Sequence, residues 1–387
     1  MKKVAVGQAG GPTAVINATL AGFVKELERD HALLFIKNGY EGLAEGSYFG
    51  GDDGTIRSIS LHRDVPGACL GSGRYPLTDE HIENGVRRLK KEGVDALVFI
   101  GGNGTMEALK KVDREAKKQN YPLQVLGLPK TVDNDLGETD HAPGFGSSAR
   151  YVAQATRDMS RDLASMKNFE KVRVLETMGR NAGWLAAASG LLQKYEEDGP
   201  HVIAIPERPL EREALLEGVT SALSRYGHAT VVVSEGVTWS QGSQVQREIV
   251  DGRPVLGGIS NDIAAYLKKE CNVMTRAELL GMNQRSFSAV VSDIDREEAY
   301  TVGRVGAEWI RDGLSNVMVS ITRHSHHRYA ARMIPVQLEA VVKAGERVMP
   351  EQFIQNRKLY YEWLKPLIGE DVSVYPPPLK GDEVYVE

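Results

Sequence analysis

Short apolar runs rich in β-branched residues alternate along this chain with longer stretches in which apolar positions recur every three or four residues. The short runs predict strands at Lys3–Gly7, Leu33–Lys37, Ala96–Ile100, Leu123–Leu128, Val172–Glu176, Val202–Ile205, Thr230–Ser234 and Val317–Ile321. The longer ones predict helices at Val15–Arg29, Asp79–Glu92, Thr105–Gln119, Ser147–Met166, Ala182–Lys194, Arg212–Tyr226 and Asp293–Asp312. Strand–helix–strand alternation reads as an α/β fold, a parallel sheet with helices on both faces. The strands are almost continuously apolar, as strands buried on both sides are. No solenoid period and no long Gly/Ser linker is present, so the chain is free to cross between lobes more than once. Met349–Glu387 differs: YYEWLKPLIG followed by Pro376, Pro377 and Pro378 predicts one helix and then an extended surface tail.

Length and composition narrow the class. The chain has 387 residues, enough for two or three domains or one bilobal enzyme, with 42% hydrophobic and 26% charged residues. A net charge of −5 argues against nucleic acid or an anionic membrane as the main partner. Cys69 and Cys271 form no CxxC, the apolar start ends at Gly7 and Gln8, and no apolar run is long enough to span a membrane; the expectation is a cytoplasmic protein. Glycine is in surplus: 40 residues, against about 27 at average usage. The surplus is clustered, which suggests tight turns and backbone that approaches a ligand closely.

Three clusters follow strands. Gly7-Gln8-Ala9-Gly10-Gly11-Pro12-Thr13 lies between the first strand and the first helix, where backbone N–H groups can face a phosphate. It is neither GxGxxG nor GxxxxGK[ST], so a tight turn without a ligand is also open. Gly101-Gly102-Asn103-Gly104-Thr105 repeats the strand–glycine–helix arrangement, and two such turns at strand ends favour a phosphate-handling crevice. Pro129-Lys130-Thr131-Val132-Asp133-Asn134-Asp135 places two carboxylates at i and i+2 beside a lysine. That suits proton abstraction and metal–phosphate handling, although a solvated turn is also rich in Asp and Asn. Glu176-Thr177-Met178-Gly179-Arg180 and Gly281-Met282-Asn283-Gln284-Arg285 are weaker signals. His324, His326 and His327 form a histidine-rich patch that reads as a solvated or anion-facing loop.

In this order and at these separations, GGNGT, PKTVDND, ETMGR and LGMNQR resemble the phosphofructokinase family over roughly residues 1–330, and Tyr361–Gly369 resembles its longer, pyrophosphate-using branch. The resemblance implies two Rossmann-like lobes with largely parallel sheets. Residues 1–137 plus about 284–335 would bind donor phosphate; 138–283 plus about 336–387 would bind the sugar phosphate and form the C-terminal extension. It implies transfer of a phosphoryl group to the 1-hydroxyl of fructose 6-phosphate, with Mg²⁺, in a homodimer or homotetramer. Asp133 would be the base, with Thr131, Asp135, Lys130 and Arg180 beside it. Gly11, Arg74, Tyr75, Gly102, Asn103, Gly104 and Thr105 would cradle the donor. Asn103 and Asp135 would serve the metal. Thr131, Asp133, Met178, Gly179, Arg180, Glu235, Met282 and Arg285 would line the sugar, and Lys171 and Arg276 would reach an adjacent subunit's phosphate.

Three positions depart from the family pattern. Asn103 stands where ATP-using members commonly carry a magnesium-associated Asp, although the pyrophosphate branch often carries Asn. Met282 stands where His or Tyr usually meets the sugar phosphate, and a thioether cannot donate a hydrogen bond. This admits another sugar or polyol. Pyrophosphate users generally pair Asp at position 104 with Lys at position 130, and common ATP users have Gly at both; this chain has Gly104 with Lys130. Gly104 leaves room for a nucleotide α-phosphate, so the expected donor is ATP, with pyrophosphate as the alternative. A catalytically silent ligand-binding relative is a further reading, opposed by the intact Thr131–Asp135 stretch. A nicotinamide dehydrogenase lacks its GxGxxG fingerprint here.

Overall fold

The computed structural model describes residues 1–379 except 74, 243, 245, 251–252 and 325–328, and only the backbone of 246–250 and 253–256. Its strands are β1 (Lys3–Gln8), β2 (Ala32–Ile36), β3 (Tyr48–Gly50), β4 (Ala96–Gly101), β5 (Gln124–Pro129), β6 (Val172–Thr177) and β7 (Val202–Ala204). They continue with β8 (Ala229–Ser234), β9 (Gln246–Val250), β10 (Arg253–Leu256), β11 (Thr275–Leu279), β12 (Val317–Arg323) and β13 (Ala331–Gln337). The chain divides into two compact units: Met1–Tyr151 with Met282–Pro350 and Pro366–Ile368, and Val152–Gly281 with Glu351–Lys365 and Gly369–Glu387.

The first unit holds a seven-stranded sheet in the order β13-β12-β5-β4-β1-β2-β3. Its centre is parallel and its outermost strands, β3 and β13, pair antiparallel. Side-chain alternation divides the core between the two faces. Val4, Val6, Val98 and Ile100 pack with Ile16, Leu20 and Phe23 of the helix Ile16–Leu27 and with Val302 and Ile310 of the helix Asp293–Arg311. Ala5, Leu97 and Phe99 face Ile82, Val86, Met106, Leu109 and Leu338, from the helices Asp79–Lys91, Asn103–Lys118 and Leu338–Ala344.

The second unit carries a parallel four-stranded sheet in the order β11-β6-β8-β7, and a separate β9–β10 hairpin. Val172, Val174, Val231 and Val233 pack on Leu215 and Val219 of the helix Arg212–Tyr226 and on Ile263 and Leu267 of the helix Ile259–Cys271. Both sheets are therefore largely parallel, and all eight predicted strands are present within a residue or two at most ends.

Two expected elements differ. The helix expected over Ala182–Lys194 is only Trp184–Ala188. Gly190 follows the end of this helix, where a glycine disfavours its continuation, and a side chain there would come within 2.2 Å of the Tyr361 hydroxyl oxygen. The C-terminal segment forms two helices rather than one, Glu351–Gln355 and Arg357–Leu364. Asn356 separates them, its side chain capping the second by accepting from Leu359 N. The tail beyond them lies on the second unit, where the Tyr375 hydroxyl donates to Asp158 (2.8 Å) and the Arg157 guanidinium sits 3.7 Å from the Tyr375 ring centroid.

Candidate active site

In the first unit, the C-terminal ends of β1, β4 and β5 bring the three clusters into contact. Each strand ends in a turn that feeds a helix or a loop, so the three turns share one sheet edge. Lys130 follows β5. Its backbone N–H donates to Gly101 O (2.9 Å), and its ammonium donates to Gly11 O (2.7 Å). Gly10 adopts φ +76°, and a Cβ there would lie 3.3 Å from the Lys130 ammonium. A Cβ on Gly11 would lie 2.7 Å from Nη1 of Arg285, on the short helix Asn283–Ser286. One lysine and one arginine thus converge on the backbone of the first glycine turn. Burial pushes the Lys130 pKa down to about 8, against the opposing charges of Asp135 and Asp133.

The helix Asn103–Lys118 starts at Gly102 with no side-chain cap and no acid in its first turn. Its positive end is therefore open to an anion. Thr105 in that turn accepts from the Tyr40 hydroxyl (2.8 Å). A Cβ on Gly104 would meet nothing within 4 Å.

The loop after β5 is ordered by its own side chains. Thr131 Oγ1 donates to Asp135 Oδ1 (2.9 Å) and accepts from Asp133 N (3.1 Å). Asn103 Nδ2 donates to the Asp135 carbonyl (3.0 Å), joining the second and third turns. Burial raises the Asp135 pKa, the Thr131 hydrogen bond opposes this, and the nearby Glu346 charge adds to it. These residues supply only oxygen donors for a metal: the carboxylates of Asp133 and Asp135 and the amide oxygen of Asn103. That set fits Mg²⁺, which takes one or two carboxylates and keeps waters and phosphates as its other ligands.

Other expected donor residues lie nearby in the chain. Ser72 Oγ donates to Gly10 O (2.5 Å), tying the 71–75 segment to the first turn. Tyr75 packs on His81, with ring centroids 5.0 Å apart. Arg74 is outside the described residues, as are His326 and His327. Met282 is 60% exposed.

In the second unit, Met178, Gly179, Arg180 and Glu235 lie together where β6 and β8 end. Glu235 N donates to Thr177 O (2.9 Å) and Ser234 Oγ to Gly179 O (2.5 Å). Gly179 adopts φ +126°, and a side chain there would strike Ala182 O at 2.5 Å. Gln244 donates to the Arg180 carbonyl (3.0 Å), and Arg180 is an exposed residue. Lys171 and Arg276 flank the paired start of β6 and β11 and are exposed. Arg276 reaches Glu170 at 3.3 Å, a carboxylate also bonded by Arg173.

Carboxylates hold these loops, two of them, Asp295 and Glu298, passed over by sequence reasoning. Buried Asp295 accepts from Gly144 N, Ser147 N and Ser147 Oγ (2.5–3.0 Å). Glu298, one turn on, bonds His141 Nε2 (2.7 Å). Glu176 accepts from Gly258 N, Ser260 N and Ser260 Oγ, and so caps the helix Ile259–Cys271. Asp295 and Glu298 had a signal in the sequence: both fall on the apolar stripe with Ala299, Val302 and Gly306, where an acid needs a buried partner. The glycine surplus also divides. Cβ atoms at Gly7, Gly144 and Gly183 would strike Phe99, Thr13 and Ile205, so these glycines serve chain-on-chain packing.

The phosphofructokinase family model matches residues 3–310. The chain is 46% identical over 366 residues to a sulfofructose kinase of Alkalicoccus urumqiensis, covering 95% of each chain. It is 35% identical to a pyrophosphate–fructose 6-phosphate 1-phosphotransferase of Xanthomonas campestris, covering 90% of this chain and 86% of that one. Its fold is similar to the crystal structure of a pyrophosphate-dependent phosphofructokinase from Nitrosospira multiformis, with a TM-score of 0.85 and 32% identity over 100% of this chain and 96% of that one. On this sheet order, these turns and these likenesses, the chain belongs to the phosphofructokinase family of phosphotransferases and is similar to its pyrophosphate-dependent branch.

Proposed function

We propose that this enzyme transfers a phosphoryl group from ATP to the 1-hydroxyl of a ketohexose bearing an anionic group on C6, and that sulfofructose is preferred to fructose 6-phosphate. The observation that carries the phosphoryl chemistry is the convergence of Lys130, Arg285 and the uncapped helix start at Gly102 around glycine backbone. Phosphoryl transfer depends mainly on positioning and on neutralising charge, and these groups supply both. Asp133 takes the proton from the attacking hydroxyl. Thr131 holds the Asp133 backbone and the Asp135 carboxylate in one arrangement. Asp135 and Asn103 would hold Mg²⁺, which when bound neutralises the donor phosphates.

The acceptor preference rests on Met282 and on the likeness to a sulfofructose kinase. A phosphate monoester carries a charge of about −1.5 to −2 near neutrality, whereas a sulfonate carries a single negative charge. A thioether offers no proton to a dianion but packs acceptably beside a more weakly hydrated anion. Met178, Gly179, Arg180 and Glu235 bind the sugar, Arg285 its anionic group, and Lys171 and Arg276 serve a neighbour's site in a homo-oligomer. The unit containing β1–β5 is then the donor lobe, and the unit containing β6–β8 the sugar lobe. For the donor, the open space at Gly104 and the absence of a carboxylate there support ATP. Pyrophosphate is the second reading, favoured by buried Lys130 and by the likeness to pyrophosphate-dependent enzymes.

The test is a matrix of sulfofructose and fructose 6-phosphate against ATP and pyrophosphate at fixed Mg²⁺. The expected result is the highest kcat/KM for sulfofructose with ATP. A higher value for fructose 6-phosphate overturns the acceptor assignment, and a higher value for pyrophosphate overturns the donor assignment.

A further inference from the structure

The chain between Asp135 and Gly144 returns from the proposed catalytic carboxylates to the start of the helix Phe145–Ser165. At its centre lies a buried charged cluster. His141, 2% exposed, is held on both ring nitrogens: Nδ1 by Asp140 Oδ1 (2.8 Å) and Nε2 by Glu298 Oε2 (2.7 Å). An imidazole bonded to carboxylates at both nitrogens is a donor at both, and is therefore the cation. Among the described residues, several neighbouring elements contribute to its surroundings. Glu298 comes from the helix Asp293–Arg311, and the Tyr329 hydroxyl bonds Glu298 and lies 3.3 Å from His141 Nε2. Arg323 at the end of β12 bonds Asp140 (3.2 Å) and sits 4.8 Å from the Tyr329 ring centroid. Asp295, one turn before Glu298, faces the same helix start through Gly144 and Ser147.

Arg347 connects this cluster to the catalytic loop. Its guanidinium donates to the carbonyls of Thr139 and Asp140, and its own backbone N–H donates to the Asp135 carbonyl (2.6 Å). The Asp135 carbonyl also receives the Asn103 amide. One short path of hydrogen bonds thus runs from His141 through Asp140 and Arg347 to the backbone of Asp135. We propose that the His141 imidazolium, clamped between Asp140 and Glu298, is a positioning residue that holds the Asp133–Asp135 loop in its catalytic arrangement through Arg347.

The physical reason is charge balance around a buried imidazole. With His141 charged, Glu298 has a cationic partner and Asp140 has a second one beside Arg323. With His141 neutral, Asp140 keeps Arg323 but buried Glu298 loses the imidazolium charge, which weakens the tie between the loop and the helix Asp293–Arg311. Burial alone would lower the His141 pKa, but the Glu298 charge and the hydrogen bonds His141 donates to Asp140 and Glu298 push it up to about 9. The device is therefore closed at neutral pH and opens on the alkaline side. A loss of loop placement acts on the chemical step, because displacing a catalytic group by about 1 Å can cost up to ~100-fold in rate.

The inference rests on Asp133 being the base, and the experiment separates the two. Steady-state kinetics are measured from pH 7 to 10 for the wild type, His141→Gln, Glu298→Gln and Asp133→Ser, with melting temperatures at each pH and with the most active donor and acceptor pair. His141→Gln is expected to lower kcat at pH 7 about tenfold with acceptor KM within about twofold, and to flatten the alkaline fall. Lys130 titrates in both proteins, so the difference between the two profiles isolates His141. Glu298→Gln keeps the histidine and is expected to move the alkaline fall to lower pH; it also serves if His141→Gln does not fold. Unchanged kcat per folded molecule and an unchanged pH profile in both variants overturn the proposal. If Asp133→Ser also keeps its rate, the base assignment has failed instead.

Discussion

The Lys130 ammonium donates a 2.7 Å hydrogen bond to the carbonyl oxygen of Gly11. This single contact joins the turn after β5 to the turn after β1, across the β4 strand between them. It holds a cation, 4% exposed, against a backbone segment able to meet a phosphate. Its charge is present well below pH 8 and is lost as the pH rises through its pKa of about 8.

Lys130→Met is accordingly expected to lower kcat/KM about a hundredfold or more, the range for removing one charge-stabilising group. The variant should keep its fold, since methionine fills the buried stem. Circular dichroism and donor-saturation kinetics check this; a loss of less than fivefold shows that the ammonium is only a structural tie.

Gly104→Asp tests the donor site. A Cβ there meets nothing within 4 Å, so the variant is expected to melt within a few degrees of the parent. The new carboxylate repels a nucleotide α-phosphate, so ATP turnover should fall at least tenfold while pyrophosphate turnover is spared, about 1.4 kcal/mol of discrimination per tenfold. The ratio of the two rates in variant and parent is the readout.

Arg285→Lys tests the guanidinium beside Gly11. Lysine keeps the charge but loses the two-pronged geometry with an anion. The acceptor KM is expected to rise about tenfold, with kcat less affected, measured by varying the acceptor at saturating donor. Gly11→Ala is expected to act in the same direction, because its methyl group would lie 2.7 Å from the Arg285 Nη1 position.

Histidines in the two units should give stability pH dependences of opposite sign, on which the lowered pKa of Lys130 superimposes a rise above about pH 8. In the second unit, burial and then the His228 charge push the His201 pKa down to about 4, and burial lowers that of His228. Both fold as neutral rings, so their contribution is present above the unfolded value of 6.5 and is lost as pH falls from there toward 4. His141 has the opposite sign: its contribution is full below 6.5 and is lost as pH rises through about 9. His201 and His141 are each worth on the order of 3 kcal/mol at their limits. Urea unfolding at pH 5, 6.5, 7.5 and 9.5 checks this, with the stability difference between wild type and His141→Gln expected to change only on the alkaline side.

The central parallel strands were legible because each is a continuous apolar run that no other element explains. β11 and β13 were not: Thr275–Leu279 and Ala331–Gln337 are sheet-edge strands with many exposed or half-exposed positions, and charge there hides the period. The first two turns were legible from their glycines and the third from two carboxylates beside a lysine, and the structure brings Gly11, Lys130, Thr131, Asn103 and Asp135 into one bonded set. Their supports were not legible. Glu298 reaches His141 across 157 positions and Arg347 reaches Asp140 across 207. Only the folded chain shows such pairings, although an acid on an apolar helix stripe marks where to search.

The most direct measurement is the single-turnover rate of phosphoryl transfer by Asp133→Ser, at saturating donor and acceptor, beside the wild type. General-base catalysis contributes about 10²–10⁴ in rate, so the account expects a fall in that range with both substrates still bound near their wild-type affinities. A rate retained within threefold would contradict the assignment of Asp133 as the base and, with it, the reading of the Thr131–Asp135 loop as the centre of the chemistry.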